Sequence, residues 1–185
     1  MNYVLRMRVG HHRRLAALLR AAMPAESVAF LLCRRVPSAD GVVFLVDSVI
    51  EVEPGAYAAQ AHDIASVAPL TMARIAQQAR ADDRVIVMAH LHPMTADGVE
   101  FSQADHLGNR RSFGFFHRRV DQPEHIALVW NADVDECVGL VYLKDGHAHV
   151  LNSAVVVDDD HWREFVPSQQ APKERFARQA MLLGA

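Results

Sequence analysis

His90-Leu91-His92-Pro93, followed by Ser102-Gln103-Ala104-Asp105, places two imidazoles, a hydroxyl and a carboxylate within a short stretch of chain. Successive side chains alternate faces on an extended strand, so His90 and His92 project to one side and can share a metal ion. Pro93 lacks a backbone donor and suits the end of such a strand. Ser102 reads as a helix N-cap, with Asp105 one turn inside the helix it opens. Two neutral imidazoles and one carboxylate make a three-ligand zinc set that leaves a fourth position for water, as in catalytic rather than structural sites.

Either half alone says little. An isolated His-x-His is common, and Ser-x-x-Asp by itself usually marks only a capping arrangement. The chain contains its own control in Gly146-His147-Ala148-His149. That pair follows the hairpin turn signal Lys144-Asp145-Gly146 and has no Ser/Asp partner after it, so it reads as exposed hairpin histidines.

Upstream, Met23-Pro24-Ala25-Glu26-Ser27-Val28 leads into the apolar run Val28 to Cys33. By itself Glu26 reads as a solvent-facing acid between a helix and a strand. Together with His90, His92, Ser102 and Asp105, it makes the chain resemble the JAB/MPN family, whose metalloprotease members carry the JAMM motif: a Glu before an apolar strand, His-x-His-Pro, a short loop, then Ser-x-x-Asp. Two departures stand out. The loop from Pro93 to Phe101 is somewhat longer than usual, and Ala29 and Cys33 stand where members often have glycine. Neither removes a ligand.

The resemblance implies an α/β (α+β) fold of the cytidine-deaminase-like kind, a curved and mostly antiparallel sheet flanked by helices. It also implies a zinc metalloprotease that cleaves a peptide or isopeptide bond after the C-terminal Gly-Gly-like tail of a ubiquitin-like protein. Bacterial relatives of this type serve ubiquitin-like conjugation and antiphage pathways; others process sulfur-carrier proteins. His90, His92 and Asp105 would hold the zinc. Amide hydrolysis needs a proton acceptor for water and a donor for the leaving amine, and Glu26 can serve as both in turn. Ser102 fits the donor to the developing oxyanion. The family places a substrate-contacting insertion at Glu53 to Ala65, against which an extended tail can add as a strand. A non-catalytic MPN-type assembly or binding module is the competing reading; such members usually lose motif residues, and none is missing here.

The rest of the chain sets the context. At 185 residues it suits one domain able to bury a core without staples. A formal charge of −3 argues against bulk nucleic-acid binding. Arg13-Arg14, Arg110-Arg111 and Arg118-Arg119 are short basic pairs that read as solvated faces or as contacts for an acidic partner. Cys33 and Cys137 each lie in an apolar run and read as buried thiols of a reducing, cytoplasmic compartment. No signal peptide or membrane-length apolar segment is evident. Zinc deamination is disfavoured, because the Cys-x-x-Cys and His-x-Glu pairings it uses are missing.

Periodicity predicts strands over 3–9, 28–33, 41–52, 84–90, 126–131, 138–144 and 147–157, the last a hairpin partner of the one before it. It predicts helices over 11–22, 69–80 and from Ser102 to about Phe116. Glu53 to Ala68, with Pro-Gly and small residues, reads as an irregular loop. Asp158-Asp159-Asp160-His161 reads as solvated loop, since adjacent residues cannot all converge on one ion. Residues 1–165 are then the JAB/MPN domain. Pro172 to Gly184, with Arg175-Phe176-Ala177-Arg178-Gln179, resembles the opening of ThiF-like adenylating, ubiquitin-activating enzymes; an amphipathic terminal helix is the alternative. Under the first reading, residues 166–185 are linker and the start of a second domain, and the partners are a fused or associated adenylating enzyme and a conjugating enzyme.

Overall fold

The computed structural model describes residues 1–94, 98–158 and 162–165. Within them, Val28 to Cys33 is the middle of the molecule. Ala29, Leu31 and Cys33 face one apolar cluster, and Val28, Phe30 and Leu32 face another. A strand buried on both faces needs an unbroken apolar run, which is what this sequence supplies.

The elements in chain order are β1 (Asn2–Arg8), α1 (Val9–Arg20), β2 (Val28–Ser38), β3 (Gly41–Glu51), β4 (Tyr57–Ala61), β5 (Ile64–Val67), α2 (Pro69–Ala81), β6 (Val85–Leu91), α3 (Gln103–His117), β7 (Glu124–Trp130), β8 (Cys137–Leu143), β9 (Ala148–Val150), β10 (Ser153–Val157) and β11 (Trp162–Phe165). Nine strands form one curled sheet in the order β11-β10-β1-β3-β2-β6-β7-β8-β9. Its pairings are antiparallel except β1 with β3, β1 with β10, and β6 with β7. Leu15 and Leu19 of α1 pack on one face with Leu5, Leu31, Val87 and Trp130. Met72 and Ile75 of α2, and Phe113 and Phe116 of α3, pack on the other with Phe30 and Ile86. This is the mixed α/β architecture, with a mostly antiparallel curled sheet, that the family resemblance implies.

Three expectations change. The segment 53–68 is not an irregular loop: a 3-10 turn at Pro54–Ala56 leads into the antiparallel hairpin β4–β5. Its strands are mostly exposed and alanine-rich, so they lack the apolar alternation that marks a strand. The stretch 147–157 is not one strand. It breaks at Leu151-Asn152, where Leu151 enters the core and Asn152 brackets Tyr3, accepting from its N–H at 2.8 Å and donating to its carbonyl at 2.9 Å. β9 stays on β8, while β10 crosses to pair with β1. Finally, β11 adds an edge strand that the pattern does not signal. The adenylating-enzyme resemblance over 172–184 and most of the 158–161 run lie outside the described residues. Cys33 and Cys137 are buried free thiols, as expected, and burial pushes the Cys137 thiol up to about 12. No helix among the described residues is long and apolar enough to cross a membrane.

Candidate metal centre

β6 alternates like β2. Val85, Val87, Ala89 and Leu91 face α1, so Ile86, Met88 and His90 face α2 and α3. His90 therefore points beneath the N-terminus of α3. The chain leaves β6 at His92, whose N–H still donates to the Trp130 carbonyl at 2.9 Å and keeps the second ring beside the first.

Ser102 and Asp105 close the opposite side. Ser102 is the N-cap of α3: its Oγ accepts from the Asp105 N–H at 3.1 Å, and its own N–H donates to Asp105 Oδ2 at 2.7 Å. This reciprocal capping box does more than end a helix, because it fixes the carboxylate plane. The same Oδ2 lies 3.3 Å from His92 Nε2, and Oδ1 lies 3.2 Å from His90 Nε2. One side chain thus both caps the helix and offers an oxygen that could ligate a metal ion.

The two imidazole Nε2 atoms are 3.2 Å apart, and each has a different oxygen of the Asp105 carboxylate within 3.3 Å. Tetrahedral ligands at bonds of about 2.0 Å stand about 3.3 Å from one another. The residues fit a metal ion, and His90, His92 and Asp105 are the only His/Cys/Asp/Glu group among the described residues that brings donors together in this way.

Glu26 arrives through sheet register. Val28 pairs with His90 in the antiparallel β2–β6 ladder, so two residues earlier the chain stands opposite His92. Glu26 Oε1 lies 3.7 Å from His92 Nε2, and the side chain is 12% exposed. The acid is held from behind by the β4–β5 hairpin. Glu26 N–H donates to the Ala61 carbonyl at 2.7 Å, and its carbonyl accepts from Gln60 Nε2 at 2.9 Å. Two residues on, the Tyr57 hydroxyl bonds both Val28 N–H (2.9 Å) and Val28 carbonyl (3.2 Å).

Burial would raise the Asp105 carboxyl, but hydrogen bonds and charge from the two imidazoles, with a further hydrogen bond to Ser102, hold it far below the usual carboxylate range. Burial would lower the His92 ring, yet the Asp105 carboxylate and the charge of Glu26 outweigh it and raise it. At Glu26 burial wins over the nearby imidazoles, and its carboxyl is raised. The centre therefore pairs an obligate carboxylate with an acid poised to carry a proton.

The five residues expected from sequence sit here together. Those not expected are supporting residues. Phe101, at the position before the N-cap, packs on His106 at 5.7 Å between ring centroids and lies 6.1 Å from the His90 ring. A hydrophobic residue before an N-cap, facing the fourth helical position, is a readable staple signal. Tyr57 and Gln60 carried no such signal. The His147/His149 pair is exposed in a turn where Gly146 takes φ +86°, as expected.

A family model describing prokaryotic homologs of the JAB domain matches residues 8–120, which include all five site residues. A Desulfitobacterium hafniense protein solved in solution superposes with a TM-score of 0.56 at 18% identity, over 84% of this chain and 94% of that chain. At that identity the likeness speaks for the fold alone. No curated protein matches the chain.

Proposed function

The chain belongs to the prokaryotic JAB domain family, and on that premise we propose that it is a zinc-dependent peptidase or isopeptidase cutting after the C-terminal tail of a ubiquitin-like protein. The observation that carries the reading is the gathering of two imidazoles and one carboxylate within 3.2–3.3 Å of one another, with a half-buried acid 3.7 Å from His92. A structural site needs no such acid; hydrolysis does.

Bound zinc would supply a water acidified to a pKa of about 7 and a Lewis-acid contact for the scissile carbonyl. His90, His92 and Asp105 would hold the ion. Glu26 takes a proton from the attacking water and returns it to the amine nitrogen as the C–N bond breaks; its raised pKa brings it nearer the operating pH for both transfers. The Ser102 Oγ already accepts from the Asp105 N–H, which leaves its hydroxyl hydrogen to donate to the developing oxyanion. An extended tail pairs with the β4–β5 hairpin, and glycines next to the cut let the backbone pass close to the ion. Exposed Ile64, Met94 and Leu107, on the three segments that carry or hold the site, offer apolar contacts to the residues before the glycines.

The test is cleavage of a ubiquitin-like protein fused through Gly-Gly to a reporter. Cleavage should stop on chelation and return with zinc, and Glu26→Gln should lower kcat about 10²- to 10⁴-fold while metal content stays unchanged. Cleavage that survives both treatments would remove the proposal.

A further inference from the structure

The basic pairs Arg110-Arg111 and Arg118-Arg119 take no part in the metal centre, but the structure gathers members of both at one groove. The groove runs along the outer side of α3 and under the β8–β9 turn. It is an open cavity of about 710 Å³ bordered by Arg110, His117, Arg118, Tyr142 and Lys144. Gly114 lies midway between the two arginines and leaves the floor open. A second hollow of about 360 Å³ continues past the end of α3, sharing His117 and Arg118 and adding Arg80 and Arg119.

Five permanent cations border the joined cavities against two carboxylates, Asp83 and Asp121. Both carboxylates are engaged: Asp83 accepts from Gln122 Nε2 at 2.6 Å, and Asp121 pairs with Lys144. Asp145, in the adjoining turn, is bent back onto the His147 N–H at 2.9 Å. No carboxylate of the described residues pairs with Arg110 or Arg118. The groove is therefore net positive on a chain whose formal charge is −3. Helix-dipole compensation accounts for Arg80 in the last turn of α2 and for Arg118 at the C-cap of α3, and Arg119 stacks on Phe115 at 3.7 Å. It does not account for Arg110 in the middle of α3.

We propose that this groove docks an acidic, extended peptide segment of a partner protein. Arg110 and Arg118 are eight residues apart on the helix, which is about 12 Å. Carboxylates at alternate residues of an extended strand, four residues end to end, span about 13 Å, so two or three acids meet the row of cations at once. Beneath the groove the Phe113 and Tyr142 rings, stacked at 4.6 Å and buried, make a rigid floor. A nucleic acid is the less favoured occupant, because the chain's overall negative charge repels a polyphosphate beyond the immediate contact. Arg118 lies thirteen residues beyond Asp105, about 20 Å, and Arg110 five residues beyond it, about 8 Å, so the far end of the groove stands clear of the metal centre and docking does not use its chemistry.

The probe is a fluorescein-labelled Glu-Ser-Glu-Ser-Glu-Ser-Glu peptide, read by anisotropy against the full chain at low salt, with mapping of backbone amide shifts in the unmodified protein. Binding should weaken as salt rises, and shifts should cluster on α3 and the β8–β9 turn. Arg110→Glu with Arg118→Glu should weaken binding about tenfold or more, while Arg13→Glu with Arg14→Glu, which carries the same change in charge, should leave it within about twofold. Absence of binding, shifts located elsewhere, equal losses in the two double variants, or tighter binding of a DNA oligonucleotide of equal charge would each overturn the proposal.

Discussion

His90 and His92 stand at the end of β6, a strand in the middle of the sheet, whereas His147 and His149 flank the start of β9 at the sheet's edge. The two stretches have the same His-x-His spacing. Around the first, the sheet brings Glu26 in by register and α3 presents Asp105 from its capped N-terminus. Around the second there is solvent on both histidines, with the Tyr3 ring 5.9 Å from that of His149. The difference shows that spacing supplies candidates and tertiary position selects among them. A metal centre needs the carboxylates that two other elements deliver.

The most severe test of that contrast is removal of each pair. His90→Ala with His92→Ala should abolish stoichiometric metal and bring cleavage to background. His147→Ala with His149→Ala should retain both, and urea unfolding should change by no more than about 0.5 kcal/mol, as for exposed residues. Metal analysis of the two purified variants decides it: loss of metal from the second would put the two pairs on equal terms.

Much of the first region was legible because its signals are local. His-x-His-Pro needs only the two-residue period of a strand, and Ser102 and Asp105 announce a helix start whatever the fold. Glu26 was legible only through the family pattern. What places it is the pairing Val28 with His90 across two strands distant in sequence, and no local period encodes a register. The hairpin that holds Glu26 looks like a loop in sequence because Ala58, Ala59 and Ala61 give no alternation; its order comes from pairing and from Tyr57 packed against the core. The break at Leu151-Asn152 was equally hidden, since β-branched residues continue on both sides while the partner strand changes from β8 to β1.

Ser102 separates the two regions in a second way, because only the first pair has a capped helix facing it. Ser102→Ala should lower kcat about 10²- to 10³-fold through loss of the oxyanion donor. It should also lower stability by about 1 kcal/mol through loss of the cap. Ser102→Asn keeps a capping acceptor, so it should restore stability but not kcat, whereas Ser102→Thr should restore both. Steady-state kinetics beside urea midpoints distinguish these outcomes; full activity in Ser102→Asn would confine Ser102 to capping.

A third setting sharpens the comparison further. His125, at the second position of β7, is fully buried, and its Nδ1 accepts from the Ile86 N–H at 3.0 Å. Burial first, then the neighbouring His117 and Lys144, lower its pKa from 6.5 to about 3. The sign follows from proton uptake. Below pH 6.5 the unfolded chain protonates this ring while the native state refuses the proton, so stability falls as pH falls, by about 2 kcal/mol at pH 5. His92 differs because Asp105 and Glu26 raise it. NMR titration of the rings should show His125 neutral down to about pH 4; a His125 midpoint near 6 would erase this contribution.

The smallest effect probes the hairpin, which has no counterpart near His147 and His149. Tyr57→Phe leaves the buried Val28 N–H without its 2.9 Å acceptor, at the residue that sets the register of Glu26 against His92. The loss should be about 1 kcal/mol of stability. Gln60→Ala removes an exposed bond to the Glu26 carbonyl and should cost less. Both changes spare the donors on β6 and α3, so metal content should hold while kcat falls a few-fold. If metal content falls along with kcat in Tyr57→Phe, the hairpin shapes the whole centre and not the acid alone; if neither moves, register by itself is enough to place Glu26.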